Sequence, residues 1–189
     1  MEKRLKENLL AEEIKRIAER DLDLGEKLAE SIQDCEAKVM AFLNLYFVSK
    51  DQEFVKKALE IARNDEDFLR IVEVSGLDIV ELINNAYRRD LAYASLFERT
   101  GKFEYLVKIS DRKIASASMK RISEKLSFPQ SLEMAKEIPD PYYRCLALMQ
   151  ISEKEGVDLG KEIMESLDGI ENPWLQKWLR RRLAEKSNR

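Results

Sequence analysis

Apolar residues recur along this chain at two nested intervals. At short range they fall at helical spacing, as in Leu28, Ala29 and Ile32, in Met134, Ala135 and Ile138, and in Ile163, Met164 and Leu167. At longer range a phrase returns: an aliphatic residue, a variable one, an acid, then usually a base. It reads Ile17-Ala18-Glu19-Arg20, Leu96-Phe97-Glu98-Arg99, Ile122-Ser123-Glu124-Lys125, Ile151-Ser152-Glu153-Lys154 and Leu183-Ala184-Glu185-Lys186, with degraded copies at Leu45 and Ile71-Val72-Glu73. The aliphatic positions 17, 45, 71, 96, 122, 151 and 183 lie 25 to 32 residues apart. A period in that range predicts an array of helical hairpins, since one hairpin cannot bury its apolar face alone.

Asp34, Asn85, Asp111, Asp140 and Asn172 each lie eleven residues before an aliphatic position of the phrase. Asp and Asn in one recurring slot predict N-caps, whose side-chain oxygen accepts a free amide of the first helical turn. Pro141 and Pro173 follow two of the caps, at the position where a helix loses no hydrogen bond to proline. A long helix therefore starts at each cap and a shorter one precedes it. Asp23-Leu24-Gly25-Glu26 and Asp78-Ile79-Val80-Glu81 have capping-box spacing and predict starts for two short helices. Gly76, Gly101 and Gly156 stand where long helices should stop in a left-handed residue. The weakest repeat lies near Asn64 and Asp65. The expected fold is all-α: a right-handed α-solenoid of about six helical hairpins plus an N-terminal capping helix. The capping helix spans about 2–20, and the hairpins about 23–48, 51–75, 78–100, 102–126, 128–155 and 158–187, in one repeat domain.

The long helices follow Asp-x-x-x-Arg/Lys-x-x-Ala-x-x-x-Leu/Ile. Asp140, Arg144, Ala147 and Ile151 fit fully; Asp34, Lys38, Ala41 and Leu45 fit with lysine; Asn85, Arg89, Ala92 and Leu96 fit with asparagine. Asp111, Ala115, Ser118 and Ile122 lack the base, and Asn172, Gln176, Leu179 and Leu183 diverge further. The pattern resembles the second helix of short HEAT-type repeats, although the Ala-Leu-Gly ending of that family is absent here. The resemblance implies that Asp34, Lys38, Asn85, Arg89, Asp111, Asp140, Arg144 and Asn172 form a structural ladder between neighbouring hairpins. It also implies a scaffold or adaptor. Other helical-hairpin repeats, tetratricopeptide types included, stay open, though their Trp, Gly, Tyr and Ala pattern is not visible.

Composition agrees with helices. Only 6 Gly and 4 Pro occur, and charged residues reach 37% against ~25% in ordinary soluble proteins, a thermophile-like balance. The longest apolar run, Val39 to Val48, is interrupted by Asn44 and falls short of the ~20 residues that span a bilayer. No apolar stretch of a signal peptide follows Met1-Glu2-Lys3-Arg4-Leu5, so a cytoplasmic protein with no membrane contact is expected. The absence of histidine removes Ser-His-Asp triads, His-ligated zinc and imidazole acid–base chemistry. Cys35 and Cys145 are 110 residues apart, without metal-ligand spacing, and are expected to be free, buried thiols. Asp65-Glu66-Asp67 lacks the ligand spacing and turn glycine of a calcium loop. No cofactor, metal or catalytic residue is expected.

The last predicted helix is unlike the others. It holds both tryptophans, Trp174 and Trp178, with Lys177, Arg180, Arg181 and Arg182. Residues 176–189 carry a net +5, so residues 1–175 carry −8. Trp174, Leu175, Trp178, Leu179 and Leu183 read as one apolar stripe that closes the array, with cations suited to a helix C-terminus. The functional reading makes Trp174, Lys177, Trp178, Arg180, Arg181 and Arg182 a partner-binding patch. Tyr142 and Tyr143 are either recognition anchors or packing between hairpins. The expected function is a non-catalytic protein–protein interaction scaffold or adaptor. The alternative is nucleic-acid or phosphate-ligand binding through this basic helix.

Overall fold

A computed structural model describes the backbone of residues 2–187 and the side chains of residues 4–185. The described residues are all-helical, with twelve α-helices, one 3-10 turn and no strand. In chain order they are α1 (Glu2–Ala18), α2 (Leu22–Ser31), α3 (Cys35–Ser49), α4 (Gln52–Ile61), α5 (Asp65–Ser75), the 3-10 turn η1 (Val80–Leu82), α6 (Ala86–Thr100), α7 (Phe103–Leu106), α8 (Arg112–Lys125), α9 (Gln130–Lys136), α10 (Pro141–Glu155), α11 (Gly160–Asp168) and α12 (Pro173–Ser187). Short and long elements alternate from α2 onward. The chain forms two compact units, one ending at Arg99 and one beginning at Thr100.

The turn into each long helix is built the same way. The residue two before the cap is apolar and buried in five of the hairpins: Ile32, Ala62, Ile83, Ile138 and Ile170. That side chain plugs the corner, and the cap then satisfies the amides behind it. Asp34 accepts from Ala37 N at 3.0 Å, Asp111 from Lys113 N at 2.7 Å, and Asp140 from Tyr142 N at 2.9 Å. Asn64 and Asn85 cap α5 and α6, and Asn172 accepts from Trp174 N at 3.0 Å. At the far ends Gly76, Gly101 and Gly156 have φ of 74°, 69° and 66°, the left-handed region that costs other residues most. Lys50 does the same at the end of α3 with φ 61°.

In the first unit α3 is the central element and packs on α1, α2, α4 and α5. Its residues Ala37, Val39, Ala41, Phe42, Leu43, Leu45 and Tyr46 are buried, because a helix with neighbours on several sides needs apolar residues on more than one face. Phe42 stacks on Phe54 of α4 with centroids 6.4 Å apart. Lys57 of α4 reaches Glu26 and Glu30 of α2 at 2.7 and 3.2 Å. The hydrogen bond to Glu26, chiefly, raises its pKa above the usual lysine value. In the second unit α10 is central and packs on α8, α9 and α11, while α12 rests on α11. Small buried residues of α8, Ser116, Ser118 and Ser123, let the helices approach closely.

Several local expectations are corrected. Asp21, not Asp23, caps α2, accepting from Leu24 N at 2.9 Å. The Asp78–Glu81 box starts no α-helix: only η1 forms, with no side-chain cap. Few residues separate Gly76 from Asn85, and Val80 and Ile83 within them must turn inward, which leaves room for a single turn. Cys145 is buried as expected, but Cys35 is exposed, because it occupies the first turn of α3 on its solvent side. The expected apolar stripe of α12 is divided: Leu179 is fully buried and Leu175 half-buried, while Trp174 and Trp178 are 69% and 41% exposed.

Candidate partner-docking face

Counting from each cap gives a common register for the long helices. Residues five and eight after the cap face the following hairpin. Ser116 and Met119 of α8 and Cys145 and Leu148 of α10 occupy these positions and are buried. Ser116 Oγ accepts the Asp140 amide of the next turn at 3.0 Å. In α12 the same positions hold Lys177 and Arg180, both exposed. This face of α12 is therefore polar where those of α8 and α10 are buried.

Residues two, six and ten after the cap form a second row along each long helix. In the first unit this row carries ion pairs. Arg4 of α1 binds Glu36 of α3 at 2.7 Å, and Glu36 binds Arg70 of α5 at 3.3 Å. Arg70 and Arg88 of α6 both meet Glu66, at 3.6 and 3.0 Å. Tyr87, next to Arg88, is exposed. In the second unit the row is different: Lys113, Ala117 and Arg121 on α8, Tyr142, Leu146 and Gln150 on α10, Trp174, Trp178 and Arg182 on α12. None of these nine is buried. Tyr142 packs edge-on against Tyr143 at 5.3 Å, and Arg182 lies over the Trp178 ring at 5.6 Å. The first turns of α8, α10 and α12 line an open groove of about 790 Å³ that includes Arg112, Lys113, Tyr142, Tyr143 and Leu175.

The predicted ladder residues fall in two groups. The cap members Asp34, Asn85, Asp111, Asp140 and Asn172 each accept a first-turn amide of their own helix. The bases do not pair with those caps among the described residues. Lys38 donates to Glu30 O at 2.8 Å, Arg144 to Ile138 O and Ser166 Oγ, both at 3.2 Å, and Arg89 is exposed without an ion pair. Besides the Arg144–Ser166 bond to α11 and the Arg4–Asp34 pair at 3.4 Å, two carboxylates outside the predicted ladder link neighbouring elements. Glu7 accepts the Gln33 and Asp34 amides at 3.2 and 2.7 Å, and Asp65 accepts those of Asn84 and Asn85 at 2.9 and 2.7 Å. The Asn84 amide first, and the Asn85 amide second, hold the Asp65 carboxyl below the usual carboxylate range.

The predicted patch of α12 is likewise sorted by geometry. Arg180 binds Asp168 at 2.6 Å and Arg181 binds Glu185 at 3.0 Å. Lys177 has no ion pair among the described residues. Lys113, Tyr142 and Leu146 hold on α8 and α10 register positions of the row that Trp174, Trp178 and Arg182 hold on α12. No helix among the described residues is long and apolar enough to cross a membrane. No group of three acidic or thiol side chains among them could hold a metal ion. No family model, curated protein or solved structure matches the chain.

Proposed function

We propose that this protein is a non-catalytic scaffold or adaptor, built as a HEAT-like α-solenoid, that binds another protein on the long-helix face of residues 100–189. The observation that carries the reading is the contrast between equivalent positions. Glu36, Glu66 and Arg70 are linked by ion pairs across α3 and α5, whereas the equivalent positions of α6 and α12 expose Tyr87, Trp174 and Trp178 to water, and Tyr142 of α10 is half-buried. Tyrosine and tryptophan anchors ringed by Arg and Lys have the composition of an interface centre. The solenoid arrangement is supported by the alternation of short and long helices and by the side-by-side packing of α1, α3 and α5, and of α8 and α10.

Affinity capture from native lysate tests the reading, with tagged wild type and a Trp174→Ser/Trp178→Ser variant, each with and without nuclease. Both positions are exposed, so the variant should keep its far-UV circular dichroism. A stoichiometric protein retained through nuclease and moderate salt, and absent from the variant, is the expected result. Recovery of nucleic acid that salt removes would instead favour binding through the basic helix.

A further inference from the structure

We propose that the segment docking on this face is an acidic peptide carrying apolar anchor residues; this rests on the protein-partner reading above. Charge in the second unit is segregated by layer. The long helices α8, α10 and α12 hold twelve bases and four acids, whereas the short helices α7, α9 and α11 hold two bases and five acids. The whole unit, residues 100–189, has 17 bases and 14 acids, against 16 and 22 in residues 1–99. Lys113 and Arg182, both in the row, have no carboxylate partner among the described residues. The groove lining itself is mixed, with Asp111, Asp140 and Glu171 beside Arg112 and Lys113; the basic excess lies in the long-helix row, whose positions include Lys113, Arg121 and Arg182 and no acid. An occupant with carboxylates near Lys113 and Arg182, and Leu, Ile or Phe over Trp174, Trp178 and Leu146, meets both demands of the face.

Other occupants fit less well. A further copy of the chain stacked on α12 would bury Lys177 and Arg180, and two α12 faces brought together would oppose like charges. A nucleic-acid backbone needs a continuous cationic track. Here Arg180 and Arg181 are engaged by Asp168 and Glu185. Thirteen residues after the caps, Glu124, Glu153 and Glu185 close the far end of the same three helices with acids.

The chain's two tryptophans both lie on the face, so intrinsic fluorescence reads the site directly. A displayed library of random peptides is selected on the wild type and counter-selected on the Trp174→Ser/Trp178→Ser variant. Enriched peptides should carry net negative charge with at least one large apolar residue. A synthetic copy should shift tryptophan emission and bind about tenfold more weakly to a Lys113→Glu/Arg182→Glu variant. High salt should weaken it in the same direction. An enriched pool that is neutral or basic, or no enrichment, overturns the proposal. So does fluorescein-labelled oligothymidine that displaces the peptide, or sedimentation showing self-association lost in the tryptophan variant. If lysate capture yields a partner protein whose docking segment is neutral or basic, the charge inference fails while the scaffold reading stands.

Discussion

Asp65 shows how one side chain ties two hairpins. Its carboxylate accepts the Asn84 and Asn85 amides, and that bonding depresses its pKa. A carboxyl whose folded pKa is depressed contributes stability above its unfolded value of about 3.9, and loses it as pH falls through the lower folded value. Asp65→Asn should therefore melt earlier than wild type at neutral pH, with the gap closing in acid; a gap that persists at the lowest pH would contradict the assignment. The thiols give a second test at this scale. Burial pushes the Cys145 thiol up to about 11, whereas Cys35 is exposed. Only the thiolate reacts readily. A thiol-reactive dye should label one cysteine of the native protein and the second only on unfolding, and rapid labelling of both would show that α10 is not packed as described.

At the scale of the element, each long helix is delimited by chemistry at its ends. An Asp or Asn starts it and, in three cases, a glycine with positive φ follows it. The two best-defined stops differ in their surroundings. A Cβ at Gly76 would stand 2.6 Å from Arg99 Cδ, and that arginine donates to Glu73 O and Val74 O at 2.8 and 2.9 Å. A Cβ at Gly156 would meet nothing within 4 Å. Gly156→Ala should then cost only the left-handed backbone penalty, about 1 kcal/mol. Gly76→Ala should cost more, about 2 kcal/mol, because Arg99 must also shift and its two carbonyl contacts loosen. Chemical denaturation of the two variants checks the order, and equal losses would mean that Arg99 moves aside freely.

For the whole molecule, the first unit has its own core. The buried cluster from Ala11 to Ile71 joins α1 to α5, and its partly buried neighbours end at Ile79. A core of this kind, enclosed within one stretch of chain, should fold without the remainder. A fragment of residues 1–101, which keeps α6 intact, is expected to remain helical and to unfold cooperatively with heat. A broad, featureless melt would show that the second unit is needed to hold the first. The two units also divide the charge, acids in excess in the first and bases in the second, so salt should weaken partner binding more than it changes the stability of the fragment.

Sequence alone determined the helical content, the start of each long helix and the three glycine stops. These depend on interactions within a few residues, between a cap and its amides or between φ and a missing Cβ. It misjudged the stretch after Gly76, where local capping signals competed with the need to bury Val80 and Ile83. It also read Trp174 and Trp178 as continuous with Leu175 and Leu179, since all four are apolar and close in helical projection. Which of them face inward depends on where α11 lies, and Gln176 bonding to Leu167 O at 3.0 Å fixes that rotation. The links from Glu7, Asp65 and Ser116 to the following turns share neither residue type nor spacing. The same holds for the Glu36–Arg70 pair, which joins residues far apart in the chain. Only helix packing brings such groups within hydrogen-bonding reach. Only that packing separates the ion-paired positions of α3 and α5 from the exposed aromatic positions of α12.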